Sequence, residues 1–322
     1  PCAVGCRRGA KRSTLRTYLA QASVDGAEIL HGTEARRIVV RNGRVDSVVA
    51  HVPGGSITVR ARQVALAGGS ILSPAVLLRS GIATRTAGRG LHLHPVSAVV
   101  GFYDERMDPW AGVPQSVMSE AFAEIEGPYG FRFEAAPMHP GLIGSGYPWL
   151  DPVDHAAALS SASHAAAFLG IVRDRGSGRV DLDRDGAVRI RYGVAPEDRR
   201  LLRRATLEVA RVHRAAGASR VVTLHTPPLA VSRAEPFEPF ADSVERRAIE
   251  PNRILLFSAH QMSTCRMGTS PRDSVADPDG RVWGIGGLFV TDTSAFPSAS
   301  GVNPMLTAIA LARRNAARML AE

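Results

Sequence analysis

The sequence predicts an α+β protein in which antiparallel strands alternate with amphipathic helices. Three stretches support this fold class: short β-rich runs between Ala27 and Ala67, a hairpin followed by a helix near the middle, and an apolar-faced helix at the end. The 322 residues are 45% hydrophobic and 21% charged, which is enough to bury one large core or two modest ones. We therefore expect a globular protein without extensive disorder.

The first stretch is typical of a β-meander that leads into a helix. Asn-Gly at positions 42–43 and Pro-Gly-Gly at positions 53–55 separate its apolar runs and are hairpin and turn signals. A glycine pair then precedes the segment ILSPAVLLRSG. That segment predicts a helix with Ser73 as N-cap, Pro74 as the first helical residue and Gly81 as the C-terminal stop.

Residues 96–251 are predicted to form a second domain, because mixed strands and loops rich in aromatic residues and proline begin there. Asp-Gly at positions 185–186 predicts a hairpin in GRVDLDRDGAVRIRYG. The next segment predicts an amphipathic helix with Leu202, Val209 and Val212 among its apolar positions. We expect this domain to contain an antiparallel sheet with helices packed on it.

The outer segments, 1–95 and 252–322, are expected to share one discontinuous domain. From residue 252 the sequence again contains strand-like runs, RILLFSAH and then GLFV, before the final helix. The chain opens with PCAVGCRRGAK, which has neither an initiator Met nor a secretory apolar core, so we expect it to start inside a longer product. No apolar run approaches the ~18 residues that a transmembrane helix needs, and none is predicted.

The formal net charge of +9 comes almost wholly from arginine, because Lys11 is the only lysine among the 39 basic residues. The basic residues are scattered, and no basic run is interleaved with aromatic residues, so nucleic-acid binding is not predicted. Three cysteines, Cys2, Cys6 and Cys265, cannot all pair with one another and do not make a disulfide scaffold. We expect a reducing compartment, by default the bacterial cytoplasm.

Some patterns resemble metal sites, but no metal is predicted. DLDRDG has the spacing of a calcium loop over its first six positions, yet its twelfth position, Tyr192, cannot supply a bidentate carboxylate. We interpret that run as a hairpin turn. His92 and His94 have no matching third ligand nearby, and the pair Cys2 and Cys6 has no second cysteine pair.

Two positions near the end of the chain are candidates for chemistry. Asn303 is a good N-cap and Pro304 suits the first helical position, so the positive end of the last helix is expected at Asn303, where an anion would be favoured. A plain capping role is the alternative. His260 ends the run RILLFSAH, where a strand-to-loop junction can aim a side chain into a cleft. Alone, it could equally be a satisfied polar residue.

Four blocks carry a resemblance to a known family: GCRRGAKRSTLRTYL, GGSILSPAVLLRSGI, HQMSTCRMG and FVTDTSAFPSASGVNPMLTAIALA. In this order they resemble the glucose-methanol-choline (GMC) oxidoreductases, and the second block matches one of the signatures of that family. The segments GLHLHP, PWAGVPQS and RDRGSGRVDLDRDG are most similar to the branch of long-chain fatty alcohol oxidases and dehydrogenases. The similarity runs over essentially the whole chain.

The resemblance implies FAD-dependent oxidation of a small-molecule alcohol, hydrophobic or long-chain, with oxygen or another acceptor reoxidising the flavin. It makes His260 the catalytic histidine that accepts the alcohol proton, and Asn303 the partner that hydrogen-bonds the developing alkoxide. Hydride would pass from the carbinol carbon to flavin N5. Residues 96–251 would then be the substrate-binding domain, and 1–95 with 252–322 a partial FAD-binding domain.

The resemblance also implies cofactor contacts. Asp292 matches the acidic residue that contacts the ribityl or diphosphate region, with Thr293 beside it. Together with Asn303, the residues Pro304 and Met305 would supply groups near the flavin ring. Ala35 falls where the family uses a backbone contact to the adenosine part.

Two features depart from the family pattern. Relatives often have Pro after the histidine and Gly before the threonine, where this sequence has Gln261 and Ser263. No G-x-G-x-x-G follows a strand, so the Rossmann segment that binds the flavin diphosphate is expected to be missing. The alternatives are therefore an inactive fragment that needs a missing N-terminal half as its partner, or a stand-alone binding module.

Overall fold

The computed structural model describes residues 6, 9–113, 115–136 and 138–322 of the chain. Cys2, considered above as a metal ligand, lies outside the described residues. The described residues divide into two compact units. Unit 1 draws on Pro1–Glu28, Pro95–Arg173 and Pro196–Phe257, and unit 2 draws on Ile29–His94, Asp174–Ala195 and Ser258–Glu322.

Both units combine strands and helices, which confirms the α+β class. The strands, in chain order, are β1 (Glu34–Arg41), β2 (Arg44–Val52), β3 (Gly55–Arg60), β4 (Val64–Leu66), β5 (Arg89–Leu91), β6 (Val96–Phe102), β7 (Met118–Ser119), β8 (Ile125–Pro128), β9 (Phe131–Ala135), β10 (Ala165–Val172), β11 (Gly178–Leu182), β12 (Val188–Arg191), β13 (Arg220–Thr223), β14 (Ala230–Ser232) and β15 (Leu288–Val290). The α-helices are α1 (Tyr18–Val24), α2 (Gly69–Arg79), α3 (Pro140–Gly146), α4 (Pro152–Ser160), α5 (Pro196–Ala215), α6 (Glu238–Arg246) and α7 (Met305–Leu320). Short 3-10 turns lie at Thr14–Arg16, Ala162–His164 and Thr293–Ala295.

Unit 2 contains the antiparallel sheet β1-β2-β3 that the turn signals predicted. Asn42 and Gly43 have φ angles of 51° and 73°, as a type I′ hairpin turn requires. A second sheet, β12-β11-β5, contains the hairpin predicted at positions 185–186. The meander and this hairpin are confirmed. A separate parallel pair, β4 with β15, joins two segments that are far apart in the sequence.

Helix α2 starts four residues before Ser73, so the assignment of Ser73 as its N-cap was wrong. Pro74 lies inside the helix and has no N–H to donate to the carbonyl of Ser70. The hydroxyl of Thr264 donates to that carbonyl at 2.7 Å instead. A tertiary hydrogen bond therefore lets the helix include a proline that otherwise marks a helix start. The C-terminal stop was predicted correctly, because Gly81 follows the C-cap with a φ of 69°.

Unit 1 is built on a six-stranded sheet of order β14-β13-β6-β10-β9-β7, with α5 packed on it. Leu202 and Val209 of α5 are buried as the amphipathic pattern predicted, whereas Val212 is 39% exposed. At that end of the helix the neighbouring His213 takes the buried position, with 0% exposure. The His213 ring packs on Gly101 of β6, where a Cβ atom would lie 2.3 Å from the ring Nδ1.

Residues 253–260 do not form the strand that RILLFSAH predicted. Ile254 and Phe257 make isolated bridges, the first to His225 and the second to Val96. Because each bridge joins a different neighbour, no continuous ladder develops along this segment. The run GLFV does form a strand, β15.

The unit boundaries differ somewhat from the predicted domain limits. The described residues up to Glu28 and residues 252–257 belong to unit 1, and Asp174–Ala195 belongs to unit 2. The last of these differences arises because β11 pairs with β5 and packs against α2. The assignment of a cofactor role to 1–95 with 252–322, and of a substrate role to 96–251, stays a prediction.

The part of the chain that the structure describes contains neither a membrane-spanning helix nor a cluster of metal ligands. No helix among its residues is long and apolar enough to cross a membrane. Within the same ranges, no group of three or more His, Cys, Asp or Glu side chains is arranged to hold a metal ion. In the run DLDRDG, the Asp183 carboxylate accepts hydrogen bonds from the amides of Asp185 and Ala187, so the turn itself uses this side chain.

The burial of His213 makes the stability of the protein depend on pH. Its Nδ1 lies 2.8 Å from the Tyr103 hydroxyl and its Nε2 lies 3.0 Å from the Val99 carbonyl, so the neutral ring satisfies both contacts. Burial lowers the pKa of His213 to about 4 from an ordinary 6.5. Between these pH values His213 binds a proton in the unfolded chain, whereas its buried ring stays neutral in the folded protein. This residue's stabilisation is therefore complete above pH 6.5 and is lost on acidification.

We expect the free energy of unfolding to fall by up to about 3 kcal/mol on this account as the pH drops from 6.5 to 4. Urea unfolding of the wild type and of His213→Gln at both pH values measures it. Burial also lowers the pKa of His225 to about 4. His225 therefore contributes the same pH dependence of stability to both proteins and serves as the internal control. An identical loss in both proteins would contradict the assignment.

Candidate active site

The candidate site of unit 2 begins where the paired strands β4 and β15 end. Asp292 follows β15, and its carboxylate accepts hydrogen bonds from the Gly69 amide at 2.8 Å, the Ser73 hydroxyl at 2.5 Å and the Ser294 amide at 2.8 Å. Carboxyl ends of parallel strands are where α/β sheets bind ligands. Asp292 therefore fixes the start of α2 beside the end of β15.

Thr293 connects this corner to the loop that follows His260. Its carbonyl accepts from the Ser263 amide at 3.0 Å, and its hydroxyl lies 3.2 Å from that of Ser70. Ser70 in turn donates to the Gln261 carbonyl at 2.9 Å. Two of the four blocks that carry the family resemblance, 260–268 and 289–312, therefore lie side by side.

A second pair of segments brings two histidines together. His92 and Met262 exchange backbone hydrogen bonds of 3.1 and 2.9 Å, so the stretch around 92–94 runs antiparallel to the stretch around 258–262. The Ser258 hydroxyl donates to the Leu93 carbonyl and accepts from the His260 amide at 3.0 Å. These bonds fix the backbone of His260 at the start of its loop.

The half-buried ring of His260 contacts the ring of His94. The two Nδ1 atoms are 3.2 Å apart, and the rings meet edge to face at 89°. His94 is fully buried, and its Nε2 accepts a hydrogen bond of 2.9 Å from the Gly301 amide. His94 therefore links His260 to the segment that leads to Asn303, two residues beyond Gly301.

The backbone of His94 is held by the buried carboxylate of Asp174. This carboxylate accepts from the amides of Leu93 at 3.0 Å and His94 at 3.2 Å and from the Tyr192 hydroxyl at 3.0 Å. Burial by itself would raise the pKa of Asp174, but the His92 ring 3.5 Å away and the Leu93 amide outweigh it and lower that pKa. The ionised Asp174 therefore holds His94, whose φ of 48° is unfavourable for any residue other than glycine.

The start of α7 lies one residue later than the sequence predicted. The Pro304 carbonyl accepts the first helical bond, from the Ala308 amide at 2.7 Å, so the N-cap is Pro304 and the assignment of Asn303 as N-cap was wrong. Pro304 already has helical φ and ψ angles of −81° and −3°, which explains the shift. Pro304 is buried, and Met305 is 67% exposed in the first turn.

Ala35 lies apart from these contacts on β1, paired with Ala50 on β2 and exposed. A register shift between Ala35 and Arg37 interrupts the ladder there. The structure thus brings His260 and Gly301 to His94, and Thr293 to the loop after His260, while Ala35 belongs to the edge of a different sheet. Whether Ala35 contacts a cofactor stays a prediction.

Sequence reasoning considered His94 as a metal ligand and dismissed it, and it did not consider Asp174. The one available signal was that LHLHP resembles the family, but the partner of His94 lies 166 residues away. Asp174 lies 80 residues from the amide it holds. Distances of that size in the chain give no local pattern from which to infer the contact.

Solved structures that share this fold include an oxidase and an oxidoreductase. A pyridoxine 4-oxidase from Mesorbium loti matches with a TM-score of 0.73 at 21% identity, over 98% of this chain and 63% of that one. An FAD-dependent oxidoreductase from Chaetomium thermophilum matches with a TM-score of 0.62 at 18% identity, over 94% of this chain and 63% of that one. At these identities the likeness establishes the fold alone, which this chain shares with an FAD-dependent oxidoreductase.

Sequence comparison gives the family. GMC oxidoreductase profiles match residues 1–96 and 174–312. The long-chain-alcohol oxidase FAO4A of Arabidopsis thaliana is 32% identical over 332 residues, covering 97% of this chain and 45% of the relative. A C-glycoside 3-oxidase of Arthrobacter globiformis is 30% identical over 286 residues, covering 84% of this chain and 48% of that protein. The chain belongs to the GMC oxidoreductase family, and it spans about half the length of these curated relatives.

FAD is the cofactor that goes with this family and fold. The residues present fit its ring end, because the first-turn amides of α7 have no intrahelical acceptor and no acidic residue lies in that first turn. The residues present do not include a G-x-G-x-x-G turn for the diphosphate. The residues of unit 2 therefore fit the ring end of FAD, and a turn for its diphosphate is not among the residues present.

Ser263 has a backbone conformation that favours glycine. Its φ is 78°, a left-handed conformation, and its buried Oγ has no hydrogen-bond partner among the described residues. A side chain in that conformation costs about 1–2 kcal/mol, whereas glycine loses about 0.5–1 kcal/mol more backbone entropy on folding. We expect Ser263→Gly to raise the free energy of unfolding by about 1 kcal/mol.

Chemical denaturation of Ser263→Gly and Ser263→Ala measures this effect. Ser263→Ala removes the same hydroxyl but keeps the Cβ atom, so it is the matched control for backbone strain. An alanine variant as stable as the glycine variant would show that the left-handed backbone carries no cost.

Proposed function

We propose that the protein oxidises an alcohol to an aldehyde or ketone with FAD, using His260 as the base. The observation that supports this proposal is the placement of His260 by Ser258 and His94, next to the loop that leads to Asn303 and α7. A positioned imidazole, linked through His94 to the segment that leads into the positive end of α7, suits the removal of a proton and the stabilisation of negative charge.

In the proposed reaction, His260 takes the hydroxyl proton of the substrate at Nε2, the ring nitrogen on the side away from His94. Removing that proton matters because an alkoxide releases hydride far more readily than an alcohol. The amide of Asn303 would donate a hydrogen bond to the developing alkoxide oxygen and stabilise its charge. Bound FAD would supply the acceptor, N5, for the hydride that leaves the carbinol carbon.

The other predicted site residues keep their roles as proposals. Asp292, with Thr293 beside it, would contact the ribityl or diphosphate region. Pro304 and Met305 would border the flavin ring, since they open α7. The Ala35 backbone would contact the adenosine part, and oxygen or another acceptor would reoxidise the flavin.

Replacing His260 tests the central role. We expect His260→Gln to slow anaerobic reduction of the flavin by an alcohol by about 10²- to 10⁴-fold, the usual contribution of a general base. Stopped-flow absorbance of the flavin-loaded protein measures the limiting rate. His51→Gln, an exposed histidine on β2, is the control and should reduce at the wild-type rate. A near-normal rate in His260→Gln would remove His260 from the mechanism.

We also propose that the alcohol carries a hydrophobic chain that binds in unit 1. A cavity of about 520 Å³ opens beside the six-stranded sheet and is lined almost entirely by apolar side chains. Its walls include Ala98, Val100, Met138, Tyr147, Leu169 and Phe257. A cavity of this size and character is typical of sites for apolar ligands. Long-chain-alcohol oxidases among the relatives support the same substrate class.

A charge at the edge of this cavity tests the substrate class. Leu142 lines the cavity from α3 and is 60% exposed, so Leu142→Glu should fold. We expect this variant to raise the KM for a long-chain alcohol about tenfold, which corresponds to the loss of about 1.4 kcal/mol of apolar binding, with little change for a short alcohol.

Steady-state kinetics with both alcohols measures the difference. Val153→Glu on α4 is the matched control, because Val153 is also an exposed apolar helix residue but does not line the cavity. Equal effects of Leu142→Glu on the two alcohols would argue against a chain bound in this cavity.

A further inference from the structure

The hydrogen bonds of His94 define its protonation. The Gly301 amide can only donate, so His94 Nε2, 2.9 Å away, must accept and carry no proton. A neutral imidazole has one proton, which must then lie on Nδ1. His94 therefore presents an N–H to its other neighbour.

That neighbour is Nδ1 of His260, at 3.2 Å. Because His94 Nδ1 donates, Nδ1 of His260 must accept, and a neutral His260 carries its proton on Nε2. The nitrogen proposed to receive the alcohol proton is then already protonated. In this arrangement His260 can donate a hydrogen bond to the substrate oxygen but cannot act as its base.

We propose that His94 is a positioning residue that sets which nitrogen of His260 is basic, under the control of the Gly301 amide. This inference rests on the proposed function of His260. While Gly301 is bonded to His94, His260 is held in the donor form. When the Gly301 amide leaves, His94 can carry its proton on Nε2, and His260 can carry its proton on Nδ1 with Nε2 open as a base.

The exchange between the two forms balances. The Nδ1 proton passes from His94 to His260, His260 releases its Nε2 proton to water, and His94 takes one proton from water at Nε2. Each ring remains neutral. When His260 later accepts the alcohol proton, the unprotonated Nδ1 of His94 accepts a hydrogen bond from the resulting imidazolium.

The packing indicates which side of the bond moves. His94 is 0% exposed, and Asp174 holds its amide and that of Leu93. Gly301 is only partly buried and lies in an irregular loop with a φ of 72°. A glycine permits large changes of backbone angle at little cost. Movement of the Gly301 segment, which leads to Asn303, is therefore the step that would switch His260.

The protonated nitrogen of His260 can be observed directly. We expect long-range proton–nitrogen NMR spectra of the flavin-loaded protein, made with isotope-labelled histidine, to show neutral His260 protonated on Nε2 in the absence of substrate. His94→Phe keeps an aromatic ring but removes both hydrogen bonds, so it should populate the Nδ1-protonated form of His260. Assignment by His260→Gln identifies the signal.

His94→Gln provides the conservative variant, because its amide can accept from Gly301 and donate to His260. We expect it to keep the Nε2-protonated form but to lose the exchange, since an amide cannot move its proton between two nitrogens. The limiting rate of flavin reduction should fall about 10- to 100-fold with the affinity for the alcohol unchanged. His51→Gln should match the wild type in both measurements.

Two results would overturn the inference: a resting His260 protonated on Nδ1, or the same tautomer in His94→Phe as in the wild type. A wild-type rate in His94→Gln would show that the exchange is not needed. Failure of the proposed function can be distinguished from failure of this inference. It would appear as a normal rate of flavin reduction in His260→Gln, whichever tautomer of His260 the wild type shows.

Discussion

The carboxylate of Asp292 is the constraint on which the candidate site depends. It joins the end of β15 to Gly69 and Ser73, residues 223 and 219 positions away, and so secures the start of α2. The parallel pairing of β4 with β15 brings these segments together, and Asp292 satisfies the amide at the glycine turn. Thr293 and Ser70, which lie at this corner, bond the backbone of Ser263 and Gln261 and so position the loop after His260.

A second buried carboxylate, Asp174, acts in the same way on the histidine pair. It holds two successive amides and so keeps His94 in a left-handed conformation that an L-residue avoids by itself. Strain of this kind persists where the surroundings fix the residue, and it often lies near functional groups. Here it directs a buried imidazole between His260 and the Gly301 amide.

The two units contribute different chemistry to the proposed function. Unit 2 has polar groups in defined hydrogen bonds and the positive end of α7, which suit proton transfer and a flavin ring. Unit 1 has an apolar cavity and a sheet covered by α5, which suit a hydrophobic chain. Both properties suit the alcohol oxidation proposed for this member of the GMC oxidoreductase family, and the chain spans about half the length of its curated relatives.

The sequence by itself determined the local features: the α+β class, the meander, the hairpin at positions 185–186, the stop at Gly81 and the family motifs. These depend on turn residues and periodicities that act over a few positions. The tertiary structure decided the rest. Pro74 lies inside α2 because Thr264 replaces a missing hydrogen bond, and RILLFSAH fails as a strand because its bridges join separate neighbours. His94 gains its place from contacts 80 to 207 positions away, which no local pattern encodes.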